Sequence, residues 1–398
     1  MSDAPPRAIF VNRVYWPSTA ATAQLLTDLA EGLAARGWRI DVIAAGTTPG
    51  PRNGVAIHRT GEGDQHGGLW SRSRNYRRFA RRARELLAAT ARPGDVVVPL
   101  TDPPMLGAAV TAAALRAGAR IVHWTQDIYP EIVSAHFGAL FQLPLWPLRW
   151  RRDAAWRDAQ GWVVLGEDMA GEVTAHGVPR DRITIVPNWA PRELHQPAPA
   201  GDIAARRAAW GLRETFIVAY SGNLGRVHEF AAVVAAAERL NSREDIAFLF
   251  IGAGARFDEV RAAATARGLR HVHFRAPEPR EHLAAALAAP DVHLVTLKPA
   301  FAPLVYPSKL AGVLAAGRPV LFVGPTDGEI AGLLAREQCG AAFAPADGNG
   351  LAEAIARWSM EPAELARQGA AARLAYERHF AFAPALAAWE AVLRRAAG

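Results

Sequence analysis

Along this chain, short dense apolar runs alternate with longer stretches in which apolar residues recur every three or four positions. The run from Ala8 to Asn12 predicts a strand, TAQLLTDLAEGLAARG a helix stopped at Gly37, and RIDVIAAG the next strand. A strand, helix, strand opening implies a parallel sheet, because the helical crossover returns the chain in its original direction. GVAIHRT, GDVVVPL, ARIVHW, GWVV and ITIV continue as strands with helical stretches among them, closing at Asn188. The alternation restarts with TFIVAYSGNLGRVHEF and IAFLFIGAGARFDEV, and HVHFRAP, DVHLVTLKP and PVLFVG follow as strands. Between the halves, APRELHQPAPAGDIAARRAAWGLRE is rich in Pro, Ala and charge without a clean period and reads as a linker. Two helices are predicted at the C-terminal end, broken near Phe380 to Pro384, and Leu386, Trp389, Val392 and Leu393 give the second an apolar face. The predicted fold class is α/β, two doubly wound parallel-sheet domains facing across a cleft: residues 1–195, residues 196–378, and a closing helix within 379–398.

The stretch PAFAPLVYPSKLAGVLAAGRPVLFVG, Pro299 to Gly324, carries the densest signals. It predicts a Pro-rich loop, a helix opened near Pro307 and Ser308 and stopped at Gly317, and a buried strand from Pro319 to Val323. Ser308 is expected to cap the orphan amides of that helix, and a helix start attracts anions. Lys309 stands in its first turn. Of 45 basic side chains only Lys298 and Lys309 are lysines, both at this point. A genome that favours arginine codons accounts for the count. So does a need for a compact ammonium beside a phosphate, where a planar guanidinium is bulkier. Ser221 to Arg226, SGNLGR, adds a flexible turn containing Gly222 and Asn223, and Gly252 and Gly254 leave room at another strand end. Together these features suggest a diphosphate held between strand ends.

Ligands of such sheets lie beyond the carboxyl ends of strands. The loop Arg13 to Thr22 is therefore either a binding loop or an ordinary connection. In WTQDIYPE, Asp127 and Glu131 stand four residues apart across a turn containing Pro130. A carboxylate there serves as general base for an acceptor hydroxyl, binds that acceptor, or caps a helix.

Composition narrows the class. A length of 398 residues allows two or three domains. No run approaches 18 uninterrupted apolar residues, so no membrane-spanning helix is expected. The start MSDAPPRAIFVNRVYWP lacks the plan of a secretory signal, and the single Cys339 excludes internal disulfides, which fits a reducing cytoplasm. A net charge of +7 points to an acidic partner: nucleotide, nucleic acid or anionic membrane. Two stretches mix aromatic and arginine side chains: residues 69–84, with Trp70, Tyr76 and Phe79, and residues 141–157, with Trp146, Trp150 and Trp156. Such helices either lie at a lipid headgroup boundary or present a solvated basic face over an ordinary core stripe. No nucleic-acid-binding motif accompanies them. A GxxxxGK[ST] loop, a GxGxxG fingerprint after the first strand, and GxSxG are absent, which argues against P-loop nucleotidases, dinucleotide dehydrogenases and serine hydrolases. No His or Cys cluster has metal-ligand spacing, so no metal cofactor is expected.

The opening FVNRVYWPSTAATAQLLTDLAEGLAARGWRIDVIAAG, then WTQDIYPE, VPNWA, YSGNLGR, IGAGAR and above all YPSKLAGVLAAGRPVLFVG resemble the GT-B glycosyltransferases related to family 4. The likeness is to the bacterial exopolysaccharide and O-antigen enzymes of the colanic-acid-type branch. It implies two Rossmann-like domains, the second binding a nucleotide sugar and the first an acceptor. By the resemblance, Arg226 and Lys309 meet the donor diphosphate, with Gly222, Asn223, Gly252 and Ser308 lining the same place. Asp127 and Glu131 lie near the reacting hydroxyl, Thr19, Thr22 and Asn188 contact the acceptor, and a helix over 384–396 crosses back to the first domain. Many family members carry two glutamates eight positions apart on donor sugar and ribose; here those positions are Leu304 and Gly312, and Glu329 is the replacement expected on the ribose. The implied reaction moves a hexose-type sugar from a UDP or GDP donor to a saccharide linked to polyprenyl diphosphate, in bacterial surface polysaccharide synthesis. The enzyme would sit peripherally on the inner face of the cell membrane. A nucleotide-sugar epimerase or a phosphorylase is the alternative.

Overall fold

The computed structural model describes residues 6–47, 50–61, 69–138, 140, 142–213, 215–254 and 256–398. The chain divides into two compact units. The first runs to Pro187 and includes Pro303–Tyr306 and Phe382–Gly398; the second comprises Asn188–Ala302 and Pro307–Ala381.

The first unit is built on β1 (Arg7–Val11), β2 (Arg39–Ala44), β3 (Val55–Arg59), β4 (Val96–Pro99), β5 (Arg120–Trp124), β6 (Gly161–Val164) and β7 (Ile183–Ile185). They form one sheet in the order β3-β2-β1-β4-β5-β6-β7, every pair parallel. The second unit holds β8 (Phe216–Asn223), β9 (Ile246–Ala253), β10 (Val272–Arg275), β11 (Val292–Thr296), β12 (Val320–Val323) and β13 (Gly340–Phe343), ordered β10-β9-β8-β11-β12-β13 and again parallel. Continuous apolar runs such as VVVP and VLFV are buried at every position, as sheets covered on both faces require. Each order reverses once, at β1/β4 and at β8/β11, and crevices for ligands open beyond the strand ends at such reversals.

Helix Phe382–Ala397 belongs to the first unit, where its apolar face finds a partner. Trp389 is fully buried, with ring centroids 4.8 Å from Trp124 and 6.3 Å from Phe10. Helix Ala21–Ala35 approaches so closely that a Cβ on Gly32 would fall 2.9 Å from Phe382. In the second unit Tyr220, Phe230, Phe250 and Phe274 stack edge to face or face to face beneath the sheet.

Two elements differ from expectation. The stretch read as a linker contains helix Ala200–Trp210, in which only Trp210 is buried, so no apolar stripe announces it. Strand β13 reads GAAF, too small and unbranched for a strand signal, and it pairs along its full length with β12.

At the amino ends of the first sheet's strands lies a buried ion cluster. Arg7 Nε and Nη2 donate to both Asp41 oxygens at 2.8 and 3.0 Å, and its Nη1 donates to Asp95 at 2.9 Å. His58 Nε2 stands 2.6 Å from Asp41. Burial pushes the Asp41 carboxyl up, but hydrogen bonds from His58 and Arg7 outweigh it and hold the group far below the usual carboxylate range. The folded state thus gains stability from ionised Asp41 that is complete above the unfolded pKa of about 4 and lost as pH falls below it. Asp41→Asn leaves Arg7 under-compensated and is expected to cost about 3 kcal/mol at pH 7, with a smaller deficit at pH 3. Thermal unfolding across pH checks this; equal deficits at both pH values would refute it.

Candidate functional site

In the second unit the site begins where β8 and β9 run out together. Gly222 pairs with Gly252 at φ +133° and +147°, angles that side chains rarely adopt. A Cβ on Gly252 would lie 2.0 Å from the Gly222 carbonyl oxygen, and one on Gly254 2.5 Å from Asn223 Oδ1. Only glycine lets these strand ends approach. The Lys309 side chain passes over Gly222, with Cε 3.2 Å from where a Cβ would stand.

Lys309 Nζ donates to Tyr220 Oη at 2.6 Å and lies 3.1 Å from His228 Nε2. It also stands 4.4 Å from the Tyr220 ring centroid, within cation–π range. Tyr220 in turn donates to the Asn223 carbonyl at 2.9 Å. His228 Nδ1 is 2.6 Å from the Thr296 carbonyl, which only accepts, so Nδ1 carries the proton and Nε2 offers a lone pair. Burial pulls Lys309 down to about 7. Burial and the cations Lys309, Arg256 and Lys298 pull His228 down to about 3, so it is neutral. Among the described residues no carboxylate pairs with Lys309.

Arg226 is exposed on the turn after β8, and Glu329 is half-buried at the start of helix Glu329–Glu337. Ser308 is a correction: its backbone is already helical, at φ −56° and ψ −23°, and its side chain caps nothing, because an N-cap needs an extended backbone. Gly312 is buried, with the space beyond it held by Leu194 and Leu287, and Leu304 is buried in the core of the first unit.

The first unit places its own polar groups beyond β4 and β5. Asp127 joins a small recess of about 30 Å³, room for roughly one water, lined also by Thr101, His123, Tyr129, Arg152 and Trp156. Among the described residues no cation or hydrogen-bond donor meets its carboxylate. Burial and the nearby Asp102 carboxylate push it up to about 6. Asp102 is itself held by Arg13 through two bonds of 2.9 and 3.0 Å.

Glu131 has the opposite surroundings. Arg152 reaches both its oxygens, at 2.5 and 3.0 Å, and Arg149 adds a third bond at 2.8 Å. Burial raises its pKa, and Arg152 more than reverses that. Its oxygens are engaged by guanidiniums, which anchors helix Glu131–Phe137 to helix Gln142–Arg157. Thr19 is exposed and Thr22 lies in the first turn of helix Ala21–Ala35, both in the first unit, whereas buried Asn188 opens the second. Tyr220, His228 and Asp102 were not anticipated. Tyr220 lies inside β8, His228 on the turn that follows it and Asp102 just past β4, so only Asp102 carried the signal of a polar residue after a strand end.

The two aromatic and arginine stretches separate on burial. Helix Leu69–Thr90 turns Phe79 and Leu87 into the core and shows mainly arginines outward. Helix Gln142–Arg157 leaves Leu143, Trp146, Leu148 and Trp150 exposed, with Phe137 and Leu140 just before it. Phe141 lies outside the described residues, as do the side chains of Leu69, Trp70 and Gln142. Among the described residues no helix is long and apolar enough to cross a membrane, and no group of three or more His, Cys, Asp or Glu is placed to hold a metal ion.

Two doubly wound parallel α/β units in one chain are the architecture of the GT-B fold. Residues 21–189 match the family model of the glycosyl transferase 4-like domain, and residues 202–375 that of glycosyl transferases group 1. The chain belongs to the GT-B glycosyltransferases related to family 4. It is 32% identical over 154 residues to a protein of Escherichia coli (strain K12) designated a colanic acid biosynthesis glycosyl transferase, WcaI, covering 38% of each chain. It is 28% identical over 271 residues to the glycosyltransferase WbjE of Pseudomonas aeruginosa, covering 68% of this chain and 67% of that one. The fold is shared with HepE of Anabaena, solved in complex with UDP-glucose: TM-score 0.73, 15% identity, 98% of each chain covered. The epimerase or phosphorylase alternative is not favoured, since both matching models are of glycosyl transferases.

Proposed function

We propose that this protein transfers a sugar from a nucleoside-diphosphate donor to a saccharide carried on a polyprenyl diphosphate, at the inner face of the cell membrane. The observation that carries the donor half is Lys309: a half-buried amine at a glycine-lined strand end, partnered among the described residues only by neutral groups. An anionic ligand supplies what the site lacks. The UDP-glucose bound to the structural neighbour HepE and the colanic acid biosynthesis in the name of WcaI support the same reading.

In the transfer, the bond from the anomeric carbon to the diphosphate oxygen breaks while a bond to the acceptor oxygen forms. Lys309 and Arg226 stabilise the negative charge growing on the diphosphate, with Gly222, Asn223 and Gly252 keeping the approach clear and Glu329 on the ribose. Side-chain cations rather than a metal meet that charge. The acceptor hydroxyl loses its proton to Asp127, whose raised pKa makes it a stronger base than an ordinary aspartate. Thr19, Thr22 and Asn188 contact the acceptor.

The lipid half rests on helix Gln142–Arg157. Exposed Leu143, Trp146 and Trp150 share one face at helical spacing, Arg151 and Arg157 are exposed on the same helix, and no acidic residue occurs between Ile132 and Arg152. That combination fits an anionic bilayer surface, which takes apolar side chains to headgroup depth and attracts guanidiniums. The arginine face of helix Leu69–Thr90 adds long-range attraction without apolar insertion.

Lys309→Ala is expected to reduce transfer ~100-fold or more while the circular dichroism spectrum stays unchanged, measured as release of nucleoside diphosphate in the presence of acceptor. Turnover at the native rate would remove Lys309 from the mechanism. For the wild type, kcat/KM should rise with pH through a midpoint near 6 as Asp127 ionises, and Asp127→Asn should be slow with that limb abolished. A retained limb in the variant would assign it elsewhere. Flotation with phosphatidylglycerol vesicles should fall sharply for the double variant Trp146→Ser, Trp150→Ser, whereas arginine-to-glutamate changes at residues 77, 78, 81 and 82 should weaken flotation mainly at low salt. Undiminished flotation of the tryptophan variant would discard the helix as the membrane contact.

A further inference from the structure

The hydrogen bonds around Lys309 can be counted donor by donor. Tyr220 gives its hydroxyl hydrogen to the Asn223 carbonyl, so toward Lys309 it only accepts. His228 gives its Nδ1 hydrogen to the Thr296 carbonyl, so toward Lys309 it also only accepts. A neutral amine has two N–H groups and one lone pair; an ammonium has three N–H groups and no acceptor. The two neighbours match the neutral amine completely. A third N–H would have no partner among the described residues.

The charges nearby favour the same state. Arg256 donates to the His228 carbonyl at 2.8 Å and Arg256 and Lys298 both act on His228 as cations, while Tyr220 and His228 are neutral. Burial alone brings the amine close to neutrality at physiological pH. A cation in such surroundings needs an anion.

We propose that Lys309 stands largely as a neutral amine in the ligand-free site, both N–H groups held by Tyr220 and His228, and takes up a proton when a diphosphate arrives, the new N–H pointing to the ligand. His228 is then a positioning residue: it touches no reacting atom but orients the amine so that its lone pair faces the incoming anion. Proton and donor enter together, and the departure of the nucleoside diphosphate releases both. This inference rests on the donor-binding reading above.

Calorimetry on the full chain tests it, with UDP and GDP titrated separately at pH 8 in buffers of different ionisation enthalpy. At that pH the nucleotide's own phosphates are fully ionised, so proton uptake reports on the protein. Close to one proton is expected per nucleotide bound, and affinity should fall about tenfold per pH unit above 7. Lys309→Arg, permanently charged, should bind without uptake. His228→Leu should weaken binding about tenfold or more, and His228→Gln, whose amide oxygen accepts a hydrogen bond, should restore it together with the uptake. Binding without proton uptake, or uptake that persists in Lys309→Arg, overturns the inference and leaves the donor reading standing. Equal affinities for wild type and His228→Leu remove His228 from it. If neither nucleotide binds at any pH, the donor reading fails and this inference with it.

Discussion

Taking an amine out of water without giving it a counter-charge is unfavourable, and the second unit is arranged around that one exception. β8 continues beyond its core residues because β9 runs beside it, and the two travel together only because Gly222 and Gly252 leave no Cβ between them. That extension carries the Asn223 carbonyl to where Tyr220 can donate to it, which turns the Tyr220 oxygen into an acceptor for Lys309. The turn that follows brings back His228, fixed from behind by Thr296 at the end of β11. Each contact is local to the reversal point of the sheet, so the topology and the electrostatics are two descriptions of one place.

Asp127 and Glu131 show how far four residues separate two identical functional groups. Glu131 opens helix Glu131–Phe137 and meets guanidiniums from helix Gln142–Arg157, so it ties the two helices together. Asp127 sits before the turn, with another carboxylate nearby and no cation of its own. One carboxylate is satisfied by structure and the other has no counter-charge among the described residues. Because Arg149 and Arg152 share a helix with Trp146 and Trp150, the element with the exposed tryptophans is clamped to Glu131, and its Arg152 and Trp156 line the recess that holds Asp127.

Strand and helix alternation was legible in the chain because buried parallel strands must be continuously apolar, and nearly every such run became a strand. Helix Ala200–Trp210 escaped because it packs through essentially one residue, and β13 because small residues carry no strand preference. In the site, Lys309 stood out by rarity and Asp127 by its position after a strand. Tyr220 and His228 did not, since what makes them matter is a hydrogen-bond direction: the Asn223 carbonyl sets it for Tyr220 where the strand end curls back, and the Thr296 carbonyl, distant in sequence, sets it for His228. Composition also misled in one respect. Helices Leu69–Thr90 and Gln142–Arg157 read alike as aromatic and basic, yet the first buries Phe79 and leaves Tyr76 half-buried, whereas the second exposes Trp146 and Trp150 and buries only Trp156 among its described rings.

The placement of helix Phe382–Ala397 bears on how the protein is made. Its Trp389 fills the space between Phe10 and Trp124, residues synthesised long before it. The first sheet must emerge from the ribosome with that slot open, and it stays open until the whole second unit has been translated. Cutting the chain after Pro187 therefore yields a fragment missing part of its own interior.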